Sequence, residues 1–421
     1  MGSSVKRPSW FNFLIPYYAA QEIIVNVLPL YILYLGGNVI DVGYATALYN
    51  IIPIFTSITS GRIADITGKR KALIYLSLAF VFFGFIIIYF IRSVLGAILA
   101  AVVLSFGFSF AIPVIGLLLT ETLPKNMWGQ GNSWSFMFML IGYITGMVAA
   151  IVFTAFFPIY YSFYAFLIYL VLAFVFNYYY VKEPLVAFER RSVIKNFNSF
   201  MHRVLKWPAV TLRAPRLSDF KILKSMKNPA AAQLPIITAA SSMFFLASNV
   251  FFTSYSPYLV YNKVPYWMIL LTSTYILTVN SIGMTPRIRE RAQKADVAFI
   301  VDMLLLRVIG ALSASVVATY VYGMGSFYMT FLIFTILGLA YTPIYVGLYS
   351  LLYYNLPSIN QGATLGVYSS FVNLSLFLGS LASGYLSYYE GYSFTFFVSA
   401  IFFLFAAIIL EWFYKVHERE F

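Results

Sequence analysis

The sequence predicts an all-α membrane protein of twelve transmembrane helices, and three observations predict it. The 421 residues are 61% hydrophobic and only 10% charged, against about 25% charged residues in soluble domains. Apolar windows of ~20 residues, the length that crosses ~30 Å of hydrocarbon, recur along the whole chain. Runs such as 72–91 and 396–412 do not alternate apolar and polar residues, as the ~10-residue strands of a membrane barrel would.

The windows place spans at 12–35, 42–60, 72–91, 95–119, 131–153, 158–181, 233–260, 266–283, 297–321, 326–353, 363–387 and 392–414. Six precede the only long polar segment and six follow it. The chain therefore divides into a first bundle (1–182), a basic linker (183–231) and a second bundle (232–421). Lys6 and Arg7 precede the first span, but no small-residue cleavage site follows, so no cleavable signal is expected.

The basic residues orient the spans. If the N-terminus lies in the cytoplasm, the cytoplasmic loops and tails hold 24 of the 27 Lys and Arg; Arg92 and Lys263 fall on the other side and Arg307 within a span. Positively charged loops are retained inside, so both termini are expected there. The net charge of +13 then reflects topology and affinity for anionic lipid, not a nucleic-acid footprint. Within the linker, Val193, Ile194, Phe197, Phe200, Met201, Val204 and Leu205 recur at helical spacing. This predicts an amphipathic helix, either lying on the inner leaflet or packed on the cytoplasmic helix ends.

Catalytic chemistry is not written here. There is no cysteine, and the two histidines, His202 and His417, lie in polar segments. No phosphate-binding loop, nucleophile triad or metal-spaced ligand set is present, so no cofactor is expected. No nucleotide-binding domain accompanies the spans, which excludes ATP-driven pumping by this chain alone.

The two sets of six spans repeat. Leu123, Pro124, Gly129 and Gly146 recur as Leu356, Pro357, Gly362 and Gly379, at an offset of 233. Leu28-Pro29-Leu30-Tyr31 resembles Ser256-Pro257-Tyr258-Leu259 at an offset of 228. With six spans each, both halves start on the same side, so they are parallel repeats. Such halves hold their solute near the bilayer midplane between them.

The turn after the second span reads Gly-Arg-Ile-Ala-Asp-Ile-Thr-Gly-Lys-Arg-Lys over 61–71. Gly61 allows close helix packing, and Gly68 permits a turn with φ > 0. Asp65 stands alone among Arg62, Lys69, Arg70 and Lys71. A plain basic loop would explain the cations but not the Gly-Asp-Gly framework. Here the sequence resembles the major facilitator superfamily, whose signature at this place is Gly-x-x-x-Asp-x-x-Gly-Arg/Lys-Arg/Lys. Gly61, Asp65, Gly68, Lys69 and Arg70 match it, and the family plan covers essentially the whole chain. The resemblance implies a secondary transporter in which this loop, Arg62 included, latches the halves when the cytoplasmic side is closed. It also implies a central cavity lined by spans one, four, seven and ten. The equivalent loop, 283–294, keeps Arg287, Arg289 and Arg291 but lacks the Asp and the second Gly.

Polar residues inside the spans mark candidate sites. Tyr18, Glu22 and Asn26 are spaced by four and share one face of the first span, with Gln21 beside them. A carboxylate at the bilayer centre costs roughly 2.5–3.5 kcal/mol on insertion scales, so Glu22 is a candidate proton or substrate-cation site. A buried structural hydrogen bond is the simpler alternative. The seventh span carries Ser242, Asn249, Thr253 and Ser256 on one face, read as cavity lining or as interhelical hydrogen bonding. Tyr341, Tyr345 and Tyr349 share a face of the tenth span around Pro343, a surface suited to ring-bearing solutes. Asp302 and Arg307, five residues apart in the ninth span, diverge by about 140° and do not pair well. Asp302 is expected near the 287–291 arginines, and Arg307 is given a structural role. The stripes Gly142–Gly146–Ala150 and Ser375–Gly379–Ser383 are expected at the sliding contact between halves, although plain packing also accounts for them.

These features predict a monomeric plasma-membrane transporter of a small organic solute, driven by protons and working by alternating access. The partners expected are the solute, protons and anionic lipid. The similarity of Glu22 to the membrane carboxylate of proton-coupled exporters leans the direction to efflux. Uptake of a sugar or other metabolite is the alternative, and a non-transporting sensor or scaffold is the reading from another class. Two departures separate the chain from those exporters. Span four has no arginine, and Met147 stands where their fifth span has proline.

Overall fold

The computed structural model describes residues 7–124, 127–183, 229–282, 285, 290–292, 294, 296–355 and 361–418. Side chains at 57, 58, 62, 65, 66, 129, 229–232, 361–363 and 413–418 lie outside this description, as does the predicted linker helix. No strand occurs among the described residues. Twelve long helices follow in order among those residues: α1 Phe11–Tyr34, α2 Val39–Thr67, α3 Arg70–Phe90, α4 Val94–Thr122, α5 Trp128–Phe156, α6 Ser162–Tyr180, α7 Pro229–Tyr261, α8 Tyr266–Ile282, α9 Val297–Tyr320, α10 Met324–Tyr354, α11 Gln361–Tyr389 and α12 Tyr392–Glu418. A 3-10 turn, Ile159–Tyr161, leads into α6.

Each predicted span matches one helix. Among the described residues, eleven helices are long and apolar enough to cross a membrane. The exception is α8, whose 17 residues still extend about 26 Å at 1.5 Å per residue. Prolines inside α2, α4, α7 and α10 (Pro53, Pro113, Pro235, Pro257 and Pro343) do not end those helices. Neighbouring helices and hydroxyl side chains can satisfy the freed carbonyls in such surroundings. The ends carry local signals. Ser93 caps α4 by accepting from Gly96 N at 3.1 Å, and Asp296 caps α9 by accepting from Phe299 N at 3.1 Å.

The helices group into two compact units. One comprises Met1–Leu28 and Ile52–Ala214; the other comprises Pro29–Ile51 and Pro215–Phe421. In the first, α3 packs on α4 and α6, and α5 on α6. Tyr17 is buried on α1 and donates to Phe108 O of α4 at 2.7 Å. In the second, α7 packs on α11 and α12, and α9 on α10 and α12. The first part of α2 belongs to this second unit and lies against α11. A Cβ on Gly43 would stand 3.0 Å from Ser380 O and 3.1 Å from Gly384 Cα. The Tyr44 and Tyr385 hydroxyls are hydrogen-bonded beside this contact.

The small-residue stripes act within units. A Cβ on Gly142 would come 2.5 Å from Ile15 O, and one on Gly146 would come 2.5 Å from Ala19 O. Both glycines therefore let α5 approach α1. A Cβ on Gly379 would come 2.6 Å from Leu246 O, and Ser383 Oγ donates to Val250 O at 2.7 Å, so α11 approaches α7 in the same manner. The contacts that Gly142, Gly146, Gly379 and Ser383 make here are packing within a unit, the second of the two readings of these stripes.

Candidate functional site

In the first unit, Asn26 Nδ2 donates to Glu22 Oε1 at 2.9 Å and to Glu22 O at 3.1 Å. One helical turn separates the two residues, so α1 itself positions the amide on the acid. Among the described residues no cationic side chain pairs with Glu22. Tyr18 packs edge-on to Tyr143 of α5, with ring centroids 5.7 Å apart. Gln21 is half-buried on the same helix. The spacing of four that predicted one polar face on α1 thus brings Glu22 and Asn26 into direct contact.

In the second unit, the polar face of α7 divides. Asn249 Nδ2 donates to Leu376 O at 2.6 Å and to Ser380 Oγ at 2.8 Å. Asn50 of α2 also donates to Ser380 Oγ, at 3.2 Å, so Asn249 is an interhelical tie. Thr253 is buried and its hydroxyl has no hydrogen-bond partner. Ser256 is half-buried.

On α10, Tyr341, Tyr345 and Tyr349 form a column with centroids 6.0 and 4.7 Å apart. Tyr368 of α11 continues it at 5.5 Å from Tyr349. At the other end stands Arg307. Its guanidinium is fully buried and its carbon lies 5.4 Å from the Tyr341 ring centroid. Phe244, Phe252 and Phe403 complete the enclosure at 5.3, 5.6 and 4.8 Å. Nη1 reaches Ser248 Oγ at 3.2 Å, whereas Nε and Nη2 have no hydrogen-bond partner. The partner of Arg307 is therefore a set of π faces from α7, α10 and α12 instead of an acid. Phe244, Ser248 and Phe252 recur every four residues on α7, a signal the sequence carried. Phe403 comes from a distant helix and left no such signal.

Asp302 is exposed and has diverged from Arg307, as the helical spacing requires. Arg291 pairs with Asp296 at 3.0 Å, and Lys294 pairs with Glu290 at 2.8 Å. That second pair holds the Glu290 carboxyl below its usual range and the Lys294 ammonium above its own, through the hydrogen bond between them. Arg287 and Arg289 lie outside the described residues.

The turn after α2 holds a buried ion pair. Gly68 has φ +63°, the left-handed conformation its position in the motif requires. Lys69 is exposed and Arg70 opens α3. Arg70 is only 2% exposed and grips Glu121 of α4 through Nε–Oε2 (3.0 Å) and Nη2–Oε1 (2.6 Å). It also donates to Ala64 O at the end of α2. The Glu183 carboxylate accepts from the backbone N–H groups of Arg70 and Lys71 at 2.7 and 3.1 Å. It sits on the N-terminus of α3, where negative charge is favoured. Sequence reasoning missed Glu121 and Glu183, because each is remote in sequence from the basic turn. Gly61 lies inside α2, where an added Cβ would meet only Pro113 Cβ at 3.7 Å. The side chains of Arg62 and Asp65 lie outside the described residues.

Among the described residues, eleven helices long and apolar enough to cross a membrane, a half-buried acid on α1 and charged turns are the parts of a polytopic membrane transporter. The sequence profile of the Major Facilitator Superfamily matches residues 11–357, and the chain belongs to that family: it is a transporter and not an enzyme. No curated protein matches it. Its fold is similar to solved transporters over nearly their whole lengths. A mutant of the nucleoside transporter NupG has a TM-score of 0.72 at 12% identity, covering 96% of this chain and 98% of that one. A mutant of the peptide transporter POT in complex with sulfate has a TM-score of 0.72 at 14% identity, with 98% and 96% covered. The POT family transporter PepTSo has a TM-score of 0.69 at 14% identity, with 99% and 100% covered. At such identities the likeness is one of fold.

Proposed function

We infer that the chain moves a small organic solute across the plasma membrane by alternating access of two parallel six-helix halves, with Glu22 as the proton-carrying group. The observation that carries this reading is the Glu22 carboxyl on α1, hydrogen-bonded to Asn26 and without a cationic partner among the described residues. An acid so placed can take and release a proton without breaking an ion pair, and intramembrane carboxylates of that kind mark proton relays. The parallel-repeat reading draws support from matching contacts. Gly146 and Gly379, 233 residues apart, press their helices onto Ala19 of α1 and Leu246 of α7. The halves extend over 1–182 and 232–421, both termini are cytoplasmic, and anionic lipid is a partner. The working unit is a monomer, and efflux is the direction assigned.

The test is transport in proteoliposomes of the purified protein. The solute panel begins with nucleosides, peptides and 5-aminolevulinic acid, because solved transporters of similar fold include a nucleoside transporter, a peptide transporter and a complex with 5-aminolevulinic acid. Glu22→Gln is expected to abolish transport driven by a pH gradient while sparing solute counterflow. Unchanged gradient-driven transport would overturn the proton role of Glu22, and no counterflow of any organic solute would overturn the transporter of small solutes.

A further inference from the structure

Between the first half of α7 and the first half of α11, within one unit, lies a cavity of about 160 Å3. Its walls include Pro235, Ala239 and Ser242 of α7 and Val367, Tyr368 and Phe371 of α11, and none of its described lining residues is charged. The Ser242 side chain is 9% exposed, and its hydroxyl has no hydrogen-bond partner. The neighbouring Thr238 hydroxyl is already committed, donating to Leu234 O at 2.8 Å.

We propose that this cavity is a binding site for an uncharged solute that carries one six-membered ring and a hydrogen-bonding group, with Ser242 as the polar partner. Size, charge and chemistry each restrict the ligand. An apolar cavity of about 150 Å3 accommodates a benzene ring, so a single ring fits this one. An ion placed here would lose its hydration and gain no counter-charge, which excludes anions and cations alike. Aromatic surface from Tyr368 and Phe371 suits a ring. A mostly apolar wall with two buried, unpaired hydroxyls, those of Ser242 and Tyr368, is the composition of small-molecule pockets in general. Tyr368 also begins the tyrosine column through Tyr349 and Tyr345 to Tyr341, so aromatic surface continues from the cavity along α10. This assignment rests on the small-solute reading above and narrows its cargo to neutral ring compounds.

The probe is 4-fluorophenol, followed by fluorine NMR on the full chain in lipid nanodiscs, with empty nanodiscs subtracted. Saturable line broadening that phenol displaces is expected. The matched anion 4-fluorobenzoate and the matched cation 4-fluorobenzylammonium are expected to bind at least about tenfold more weakly, a difference of 1.4 kcal/mol. Ala239→Phe fills the cavity from α7 and is expected to abolish the broadening. Val367→Phe fills it from α11 and gives the same reading should the first variant fold poorly. Ser242→Ala keeps the volume and is expected to weaken binding roughly threefold to tenfold, the loss of one hydrogen bond. Full binding in both filled variants, or benzoate binding as tightly as phenol, would overturn the site. The measurement is made on stationary protein and needs no transport. Its failure would leave the transporter reading standing, and absence of counterflow would leave this binding result standing.

Discussion

Two buried arginines meet opposite solutions to the same physical problem. Arg70 is paired in the ordinary way: a bidentate carboxylate, a helix-end carbonyl and a neighbouring acid on its own backbone. Arg307 has no acid and is held by four rings and one hydroxyl. Burying a lone ion costs several kcal/mol even after relaxation, and a desolvated cation–π contact returns about 2 kcal/mol. The planar, weakly hydrated guanidinium is suited to such a cage, whereas the compact ammonium of lysine is not. Arg307→Lys is therefore expected to unfold at a lower temperature than the wild type and also lower than Arg307→Met, which removes the charge and keeps the bulk. Thermal unfolding in nanodiscs measures the order; lysine matching or exceeding methionine would rule the aromatic cage out as the support of this charge.

At the scale of helices and turns, glycines with similar sequence signatures do different work. Gly68 is held at φ +63°, a conformation that costs an L-residue about 1–2 kcal/mol. Gly61 sits inside α2 with ordinary space around it, where alanine is favoured over glycine by roughly 0.5–1 kcal/mol. Gly68→Ala should lower stability and Gly61→Ala should leave it equal or raise it, as read by the midpoint of thermal unfolding. A loss at Gly61 equal to that at Gly68 would mean that the first glycine of the motif serves a packing role not present in this conformation. Both readings of a motif glycine, close packing and positive φ, were available from the sequence. Which glycine uses which depends on the φ of one residue and on the distance to α4, and neither is written locally.

The whole molecule turns on orientation. The chain has no cysteine, so single cysteines report their own exposure without interference. Lys263→Cys, in the turn between α7 and α8, is expected to react with a membrane-impermeant maleimide in intact cells. His417→Cys, near the C-terminus, is expected to react only after the membrane is opened. Reaction of His417→Cys in intact cells, or none of Lys263→Cys, would contradict a cytoplasmic C-terminus with the turn between α7 and α8 outside. The partition into units adds what loop charges do not show. The first part of α2, around Gly43 and Tyr44, belongs with α11 and not with the remainder of its own helix.

Length and hydropathy determined the helix count and the approximate spans, because these follow from crossing a bilayer and need no partner residue, and the local motif at 61–71 pointed to the family. The spacing of four on α1 likewise foretold the Glu22–Asn26 contact, since one helical turn brings those side chains together whatever surrounds them. Contacts between distant helices were decided only by tertiary packing. Glu121 and Glu183 close on Arg70, four rings from three helices enclose Arg307, and Asn249 became a tie to α11. The cavity beside Ser242 belongs to the same class. Its walls come from residues more than a hundred positions apart in sequence, and a void between two helices has no signature in either one.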